Sequence, residues 1–351
     1  MSVEELPIYS DVIKDLRSKN RKKHLLFGNG FSIAYNPDIF SYNALSTFIR
    51  DIDDPLLKEL FTRLNTKNFE IIMQQLDNFV EIADLFSDDK KLKSTLKNVS
   101  EHLRKSLIDA INSLHPEHVF TIPEEKSKLC SILLSDYLDN EGYVFSTNYD
   151  LLLYWVLMRN NAQNAIDGFG RDLETDLDEE YIPEENLEYS ELRWGKHRQI
   201  QNVFYLHGAL PLFDTGRYVV KEEYDNQHYL LENINTRIGN KEYPIFVTGG
   251  NANDKMNHIM HNKYLSFCYD KLCCIEGSLI TFGFNFGEYD THIIDAINIA
   301  AHQGKKAGNK LFSVYIGVYS EDDLNHINRI KKMFKCKVNI YNARTVNLWS
   351  N

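Results

Sequence analysis

The chain has 351 residues, 43% of them hydrophobic and 12% aromatic, and is therefore long enough to bury at least one large core. Its formal net charge of -11 argues against binding nucleic acid or anionic lipid through bulk electrostatics. No apolar run reaches the roughly 18 residues that span a bilayer, and the segment Met1–Glu5 lacks a basic start followed by an apolar core. These features predict a cytoplasmic globular protein that contacts neither membrane nor nucleic acid directly.

The first strong strand pattern is His24–Phe27, which stops at Gly28. Glycines here and at Gly30 permit the close backbone approach of a phosphate-binding turn, and Ser32 can cap or begin the next helix. A dehydrogenase-type glycine motif would need a third glycine at the position of Ile33, so that motif is incomplete.

After a short predicted helix over Tyr9–Ser18, the chain from Ser41 to Leu138 is predicted to be almost wholly helical. Apolar side chains recur at helical spacing from Phe69 to Phe86, which predicts a stripe buried in a core. Further helical patterns cover Leu92–Leu114 and Lys128–Leu138. We therefore expect a helical insertion packed beside a sheet.

The most informative motif is the stretch Gly142–Asp150, an aromatic and β-branched run that leads directly into apolar residues from Leu151 onward. This pattern predicts a buried strand whose end turns into a helix. Thr147, Asn148 and Asp150 crowd that turn, where they either cap the helix or contact a ligand at the strand end.

An acidic segment follows, since residues 172–191 contain ten acidic side chains and no lysine or arginine. We expect an acidic flexible loop over residues 171–198, within the sheet domain. A solvated loop is one explanation, and a lid or a contact for a basic partner is the other.

Two further strands are predicted to end in polar turns. Asn202–Leu206 leads into His207-Gly208, and Ser278–Phe282 leads into Gly283–Asn285. A histidine at a strand end can present its imidazole to a ligand as a general base, or it can make a structural hydrogen bond.

Further strands and helices are predicted after residue 210. In the mixed region 211–260 we expect a strand at Arg217–Val220, a helix over Lys221–Ile238 and a strand at Ile245–Thr248. Toward the C-terminus a strand at Leu311–Val318 is followed by a helix over Glu321–Phe334.

This alternation of strands and helices predicts an α/β fold with a doubly wound parallel sheet of Rossmann type. Residues 1–40 and 140–351 would form this core, and residues 41–139 the large helical insertion. The polar turns would then lie along one edge of the sheet. The five cysteines do not form the two closely spaced pairs of a structural zinc site, so we expect no zinc.

The polar turns carry a family resemblance. Taken in order, Gly28–Ser32, Thr147–Asp150, His207-Gly208 and Gly283–Asn285 resemble the signature of the sirtuin superfamily, whose Gly-Ala-Gly-x-Ser, Gln-Asn-x-Asp, His-Gly and Gly-Thr-Ser elements line an NAD site. Pro37–Phe40 is similar to the Pro-Asp-Phe-Arg loop of that family, without its arginine. The Thr-Asn-Tyr-Asp turn most resembles the sirtuin-like domains of bacterial antiphage defence.

The resemblance implies roles for individual residues. Asn148 would hold the nicotinamide ribose or the attacking water, His207 would act as base or orient the ribose hydroxyls, and Asp150 would contact the nicotinamide carboxamide. Gly28, Gly30 and Ser32 would hold the diphosphate, and Gly283 and Asn285 would line the adenosine side. The other NAD-binding residues would be Asn29, Phe31, Asp38, Thr147 and Phe284.

The resemblance also implies an activity, the cleavage of NAD to nicotinamide and ADP-ribose by a defence effector that depletes NAD. The nicotinamide leaving group already carries positive charge, so its departure needs no general acid. Such an effector would be held inactive in a homo-oligomer or by a partner protein. The alternatives are a non-catalytic subunit that senses NAD or ADP-ribose, and an NAD-dependent protein deacylase, which would need a paired-cysteine zinc module that the sequence lacks.

Overall fold

A computed structural model describes most of the chain, and within it the protein forms two β-sheets packed with helices. The described residues are 2–36, 55–63, 69–116, 118–173, 189–225, 228–247, 251–302 and 310–349. The helices are α1 (Tyr9–Ser18), α2 (Gly30–Tyr35), α3 (Pro55–Arg63), α4 (Phe69–Phe86), α5 (Lys90–Leu114), α6 (Glu124–Leu138), α7 (Leu152–Arg159), α8 (Leu230–Gly239), α9 (Ala252–His261), α10 (Lys263–Cys273), α11 (Thr291–His302) and α12 (Glu321–Ile330). The strands are β1 (Lys23–Phe27), β2 (Val144–Ser146), β3 (Phe169–Gly170), β4 (Leu192–Trp194), β5 (Val203–Tyr205), β6 (Gly208–Asp214), β7 (Val219–Lys221), β8 (Pro244–Phe246), β9 (Gly277–Phe282), β10 (Leu311–Val318) and β11 (Lys337–Asn342).

The larger sheet has six strands in the order β11-β10-β9-β1-β2-β5, and all neighbouring strands are parallel. The chain builds outward from β1 through β2 to β5, then returns to the other side of β1 and builds β9, β10 and β11. This is the strand order of a Rossmann sheet, whose direction of winding reverses between β1 and β9. The predicted α/β fold with a parallel sheet is confirmed.

The centre of this sheet explains the apolar character of β1. Leu25 pairs with Val144 on one side and with Ile280 on the other, so the strand has neighbours along both edges. All five residues of β1 are buried, as expected for a parallel strand covered on both faces. Helix α6 contacts β1 and β2 and covers one face of the sheet there.

The second sheet is antiparallel, in the order β3-β4-β7-β6-β8, and the sequence analysis did not predict it. The expected helix over Lys221–Ile238 was wrong at its start, since Lys221 ends β7 and α8 begins at Leu230. Gly208 joins β5 to this sheet with a positive φ of 78°, and a Cβ there would collide with the Ile245 carbonyl oxygen. A glycine is therefore required at this junction.

The described residues between 55 and 138 form helices α3 to α6. The apolar stripe of α4 is buried only in part, because Met73 and Leu76 are buried whereas Phe79 and Phe86 are 55% and 79% exposed. Helical spacing places these side chains on one face, but it does not specify how far neighbouring elements cover that face.

Only the two ends of the acidic segment belong to the described residues, and they bring Leu173 and Tyr189 together in an isolated antiparallel bridge. Strand β4 falls within the range 171–198, whose residues 174–188 lie outside the described part of the chain. Among the described helices, not one combines the length and the apolar character that crossing a bilayer demands.

Candidate functional site

A pocket of about 740 Å³ lies at the carboxyl edge of the parallel sheet. Volumes of about 300–1,000 Å³ are typical of small-molecule and cofactor sites. The ends of β1, β2, β5 and β9 all contribute to its wall, so the predicted polar turns converge there. Their lining residues are Asn29, Gly30, Thr147, His207, Gly283, Phe284 and Asn285.

At the switch point, the turn after β1 packs directly on the turn after β9. The Gly30 N–H donates to the Gly283 carbonyl oxygen at 2.9 Å, and the Gly28 N–H donates to the Phe282 carbonyl oxygen at 3.0 Å. A Cβ at Gly283 would lie 2.5 Å from the Gly30 Cα. The glycines thus permit two backbones to touch. The N–H of Gly30, a residue expected to hold the diphosphate, is bonded within the protein.

Ser32, Asn148 and Asp150 form a buried group that we call the serine cluster. The Ser32 hydroxyl donates to the Asp150 carboxylate and accepts from the Asn148 Nδ2, which lies 2.8 Å away. The Leu152 N–H donates to Asp150 Oδ1 at 2.9 Å, at the start of α7. All three side chains of the cluster are buried, and none belongs to the pocket lining.

Burial is unfavourable for two polar groups of the serine cluster, the carboxyl group of Asp150 and the side-chain carbonyl oxygen of Asn148. Burial raises the pKa of Asp150 to about 6, although the hydrogen bonds from Ser32 and from the Leu152 backbone lower it in part. The side-chain carbonyl oxygen of Asn148 is buried and finds no hydrogen-bond partner among the described residues. A buried acceptor of this kind is a candidate for binding a substrate hydroxyl or a water.

Of the other residues predicted to bind NAD, some line the pocket and others are buried in the core. Thr147 lines the pocket, and both its backbone N–H and its hydroxyl donate to the Phe27 carbonyl oxygen at 3.1 Å. Phe31 is fully buried and packs on Phe27, with ring centroids 4.3 Å apart. Asp38 lies outside the described residues.

A second group of polar side chains lies at the pocket near the end of β5. It consists of His207, Lys255, Asp290 and His292, which we call the histidine cluster. His207 Nε2 and His292 Nε2 lie 2.9 Å apart. Lys255 Nζ forms an ion pair with Asp290 Oδ1 at 2.6 Å. His207, Lys255 and Asp290 line the pocket, so this cluster is in direct contact with the ligand space.

Burial keeps both imidazoles neutral. It lowers the pKa of His207 well below the usual range, and His292 and Lys255 lower it further. Burial also lowers the pKa of His292 to about 4, partly offset by the nearby Asp290 carboxylate. A neutral imidazole can accept a proton or bind a metal ion.

Sequence analysis missed several residues of the pocket wall. Tyr319 and Arg344 follow β10 and β11, and the guanidinium lies 5.1 Å from the centre of the tyrosine ring. Trp349 closes the wall beside α2, and its indole N–H donates to the Phe31 carbonyl oxygen at 2.8 Å. The ends of predicted parallel strands were a usable signal for the first two residues. Lys255, Asp290 and His292 carry no local signal.

The fold and the pocket define a Rossmann-like α/β protein with a ligand crevice at the switch point of its parallel sheet. The chain belongs to the family described as "Domain of unknown function (DUF4917)", whose model matches residues 25–349. The match therefore includes the serine cluster, the histidine cluster and the four polar turns. No curated protein matches the chain significantly.

Proposed function

We propose that the protein is a sirtuin-like NAD glycohydrolase, which cleaves NAD to nicotinamide and ADP-ribose. The observation that carries this proposal is the convergence of the four sirtuin-like turns on one pocket. By the same resemblance, its cellular role would be antiphage defence by NAD depletion, with activity controlled in a homo-oligomer or by a partner protein.

The position of the pocket supports a dinucleotide as its ligand. Dinucleotides bind across the switch point of a doubly wound sheet, with one half on either side. On one side, beyond β9, Tyr319 and Arg344 offer an aromatic face and a cation for the adenosine half. On the other side, Thr147 and His207 follow β2 and β5 and would face the nicotinamide ribose.

The protonation states support hydrolysis. Cleavage of the glycosidic bond passes through an oxocarbenium-like state, and the positively charged nicotinamide leaves as a neutral molecule. His207, kept neutral by burial, would accept a hydrogen bond from a ribose hydroxyl or from water and orient it. Asn148 lies between the lining residues Thr147 and Tyr149, and its unpaired carbonyl oxygen would orient the attacking water.

A second candidate is a non-catalytic subunit that senses NAD or ADP-ribose. One observation favours it, namely that Asn148 and Asp150 lie beneath the pocket instead of in its wall. In that case both residues would only stabilise the turn after β2, and bound nucleotide would not be cleaved.

The test is to incubate purified protein with NAD and to follow nicotinamide and ADP-ribose by chromatography, for the wild type and for His207→Ala and Asn148→Ala. His302→Ala is a matched control, because His302 ends the same helix that carries His292 and is exposed outside the pocket. We expect release by the wild type and the control, and none by the two site variants, with thermal unfolding reporting that each is folded. NAD binding without release would point to an enzyme held inactive or to the sensor, and binding of neither NAD nor ADP-ribose would overturn both functions.

A further inference from the structure

We propose that His207, Asp290 and His292 bind a divalent transition-metal ion of the zinc class at the β5 side of the pocket. Each of the three side chains offers one ligand atom, and these atoms lie within 4.8 Å of one another. Two imidazoles and one carboxylate are a ligand set found in zinc enzymes. The cluster contains no cysteine and differs from a structural zinc site built of paired cysteines.

The three ligand atoms would have to move only slightly to reach the spacing of a tetrahedral zinc site. Zinc ligands at about 2.0–2.1 Å in a tetrahedron lie about 3.3 Å from one another. The two Nε2 atoms are 2.9 Å apart, and all three ligand atoms lie within 4.8 Å of one another, so shifts of side-chain torsions would complete the geometry. Because His207 and Asp290 line the pocket, a fourth coordination position would face the ligand space.

His292 is a buried imidazole whose two ring nitrogens have few polar contacts. The side chain is 3% exposed, and Nδ1 has no hydrogen-bond partner in the part of the chain that the structure describes. Nε2 contacts only another imidazole nitrogen, that of His207. The two Nε2 atoms can share one N–H···N hydrogen bond, and a cation in place of that proton would use the lone pairs of both nitrogens.

Lys255 is the natural competitor of the ion. Its ammonium group is buried and lies 2.6 Å from Asp290 Oδ1, so it already neutralises the carboxylate. A metal ion would have to displace this ammonium or share the carboxylate with it. Replacing Lys255 by methionine keeps the aliphatic stem and removes the charge, and metal affinity should therefore rise.

A bound ion would regulate the proposed reaction. Coordination uses the lone pair with which His207 would accept a hydrogen bond from a ribose hydroxyl or from water, so a bound ion and this contact with the substrate exclude each other. Zinc would thus hold the enzyme inactive. This consequence rests on the proposed function, whereas metal binding itself does not.

The test uses the full chain, stripped of metal with a chelator and titrated with Co²⁺ in the absence of NAD. We expect one Co²⁺ per chain, with the visible absorption of a tetrahedral complex, and displacement by Zn²⁺ but not by Mg²⁺, which prefers oxygen ligands. His292→Gln and Asp290→Asn should each weaken binding at least tenfold, since they remove a ligand with little change in size. Lys255→Met should strengthen binding, and His302→Ala should leave it unchanged.

Absence of a Co²⁺ spectrum, or equal affinity in His292→Gln, would overturn the metal site. If one variant does not fold, the other two still decide, because a loss of affinity in one and a gain in Lys255→Met are independent expectations. Co²⁺ binding by a chain that releases no nicotinamide when metal-free would refute the hydrolase and leave the site intact. Release that continues with saturating Zn²⁺ would overturn the inhibitory role.

Discussion

The serine cluster and the histidine cluster lie at the same edge of the same sheet, but they differ in their contacts. The side chains of the first bond mainly to one another, whereas the second lies at the pocket. Ser32, Asn148 and Asp150 bond mainly to one another and lie beneath the pocket, whereas His207 and Asp290 form part of its wall. Three motif residues therefore hold the turns together, whereas Thr147 and His207 from the same motifs line the pocket. Much of the surface offered to a ligand comes from residues that no local motif identified.

The largest effect on folding stability is expected from a change in the glycine contact between the turn after β1 and the turn after β9. Gly283→Ala would place a methyl group 2.5 Å from the Gly30 Cα, at a φ of +67°, and should destabilise the fold by more than about 3 kcal/mol. Urea unfolding measures the change. Gly287→Ala is the control, because its Cβ would lie 3.5 Å from the nearest atom, Asn285 Oδ1. Equal stability of the two variants would show that the turns need no close contact.

The next largest effect concerns the buried carboxyl of the serine cluster. The pKa of Asp150 is raised from 3.8 to about 6, so the folded state binds this proton more tightly than the unfolded state. The stability it contributes is present below pH 3.8 and is lost as the pH rises through about 6, a difference of about 3 kcal/mol.

Asp150→Asn removes this titration. The variant should therefore gain stability relative to the wild type between pH 4 and pH 7, as measured by urea unfolding across that range. A difference that stays constant with pH would mean that the carboxyl titrates as it does in water.

A smaller loss is expected for Ser32→Ala. The change removes the donor to Asp150 and the acceptor from Asn148, which leaves two buried polar groups unpaired and should cost about 1–3 kcal/mol. Thermal or urea unfolding measures it, with the partly exposed Ser266→Ala as the control, since that hydroxyl bonds only the Lys263 carbonyl oxygen at 3.3 Å. Equal stability of the two variants would place the serine cluster among ligand contacts instead of fold contacts.

The smallest effect on stability is expected in the histidine cluster. The side-chain amide in His207→Gln can still form a hydrogen bond with His292 Nε2, so the change should alter the free energy of unfolding by about 1 kcal/mol or less. The same variant should abolish nicotinamide release, measured by chromatography. Full activity, or a loss of stability as large as that of Ser32→Ala, would contradict the proposal that the serine cluster serves stability and the histidine cluster serves the reaction.

Local patterns predicted the parallel sheet well. Strand β10 and helix α1 lie where the sequence places them, because a buried parallel strand and an amphipathic helix each display their period within a short window. The convergence of Thr147 and His207 on one pocket also followed from the rule that ligands bind at the carboxyl ends of such strands.

The antiparallel sheet and the histidine cluster were not predicted, because both depend on contacts between residues that are distant in sequence. Strands β3, β4 and β7 have only two or three residues each, too few to show an alternating pattern, and they are stabilised by partners distant in sequence. The histidine cluster is assembled from β5, α9 and the start of α11, so only the tertiary fold brings His207 and His292 into contact.

The central position of β1 has a consequence for how the protein is made. Leu25 leaves the ribosome long before Val144 and Ile280, the residues with which it pairs. Until β9 has been synthesised, one edge of an entirely buried apolar strand has no partner, and such edges invite association with other chains. The pairing also closes very long loops, which slows folding. Assembly of the pocket must therefore wait for nearly the whole polypeptide, and a chain released before Gly277 would lack both the switch point and its crevice.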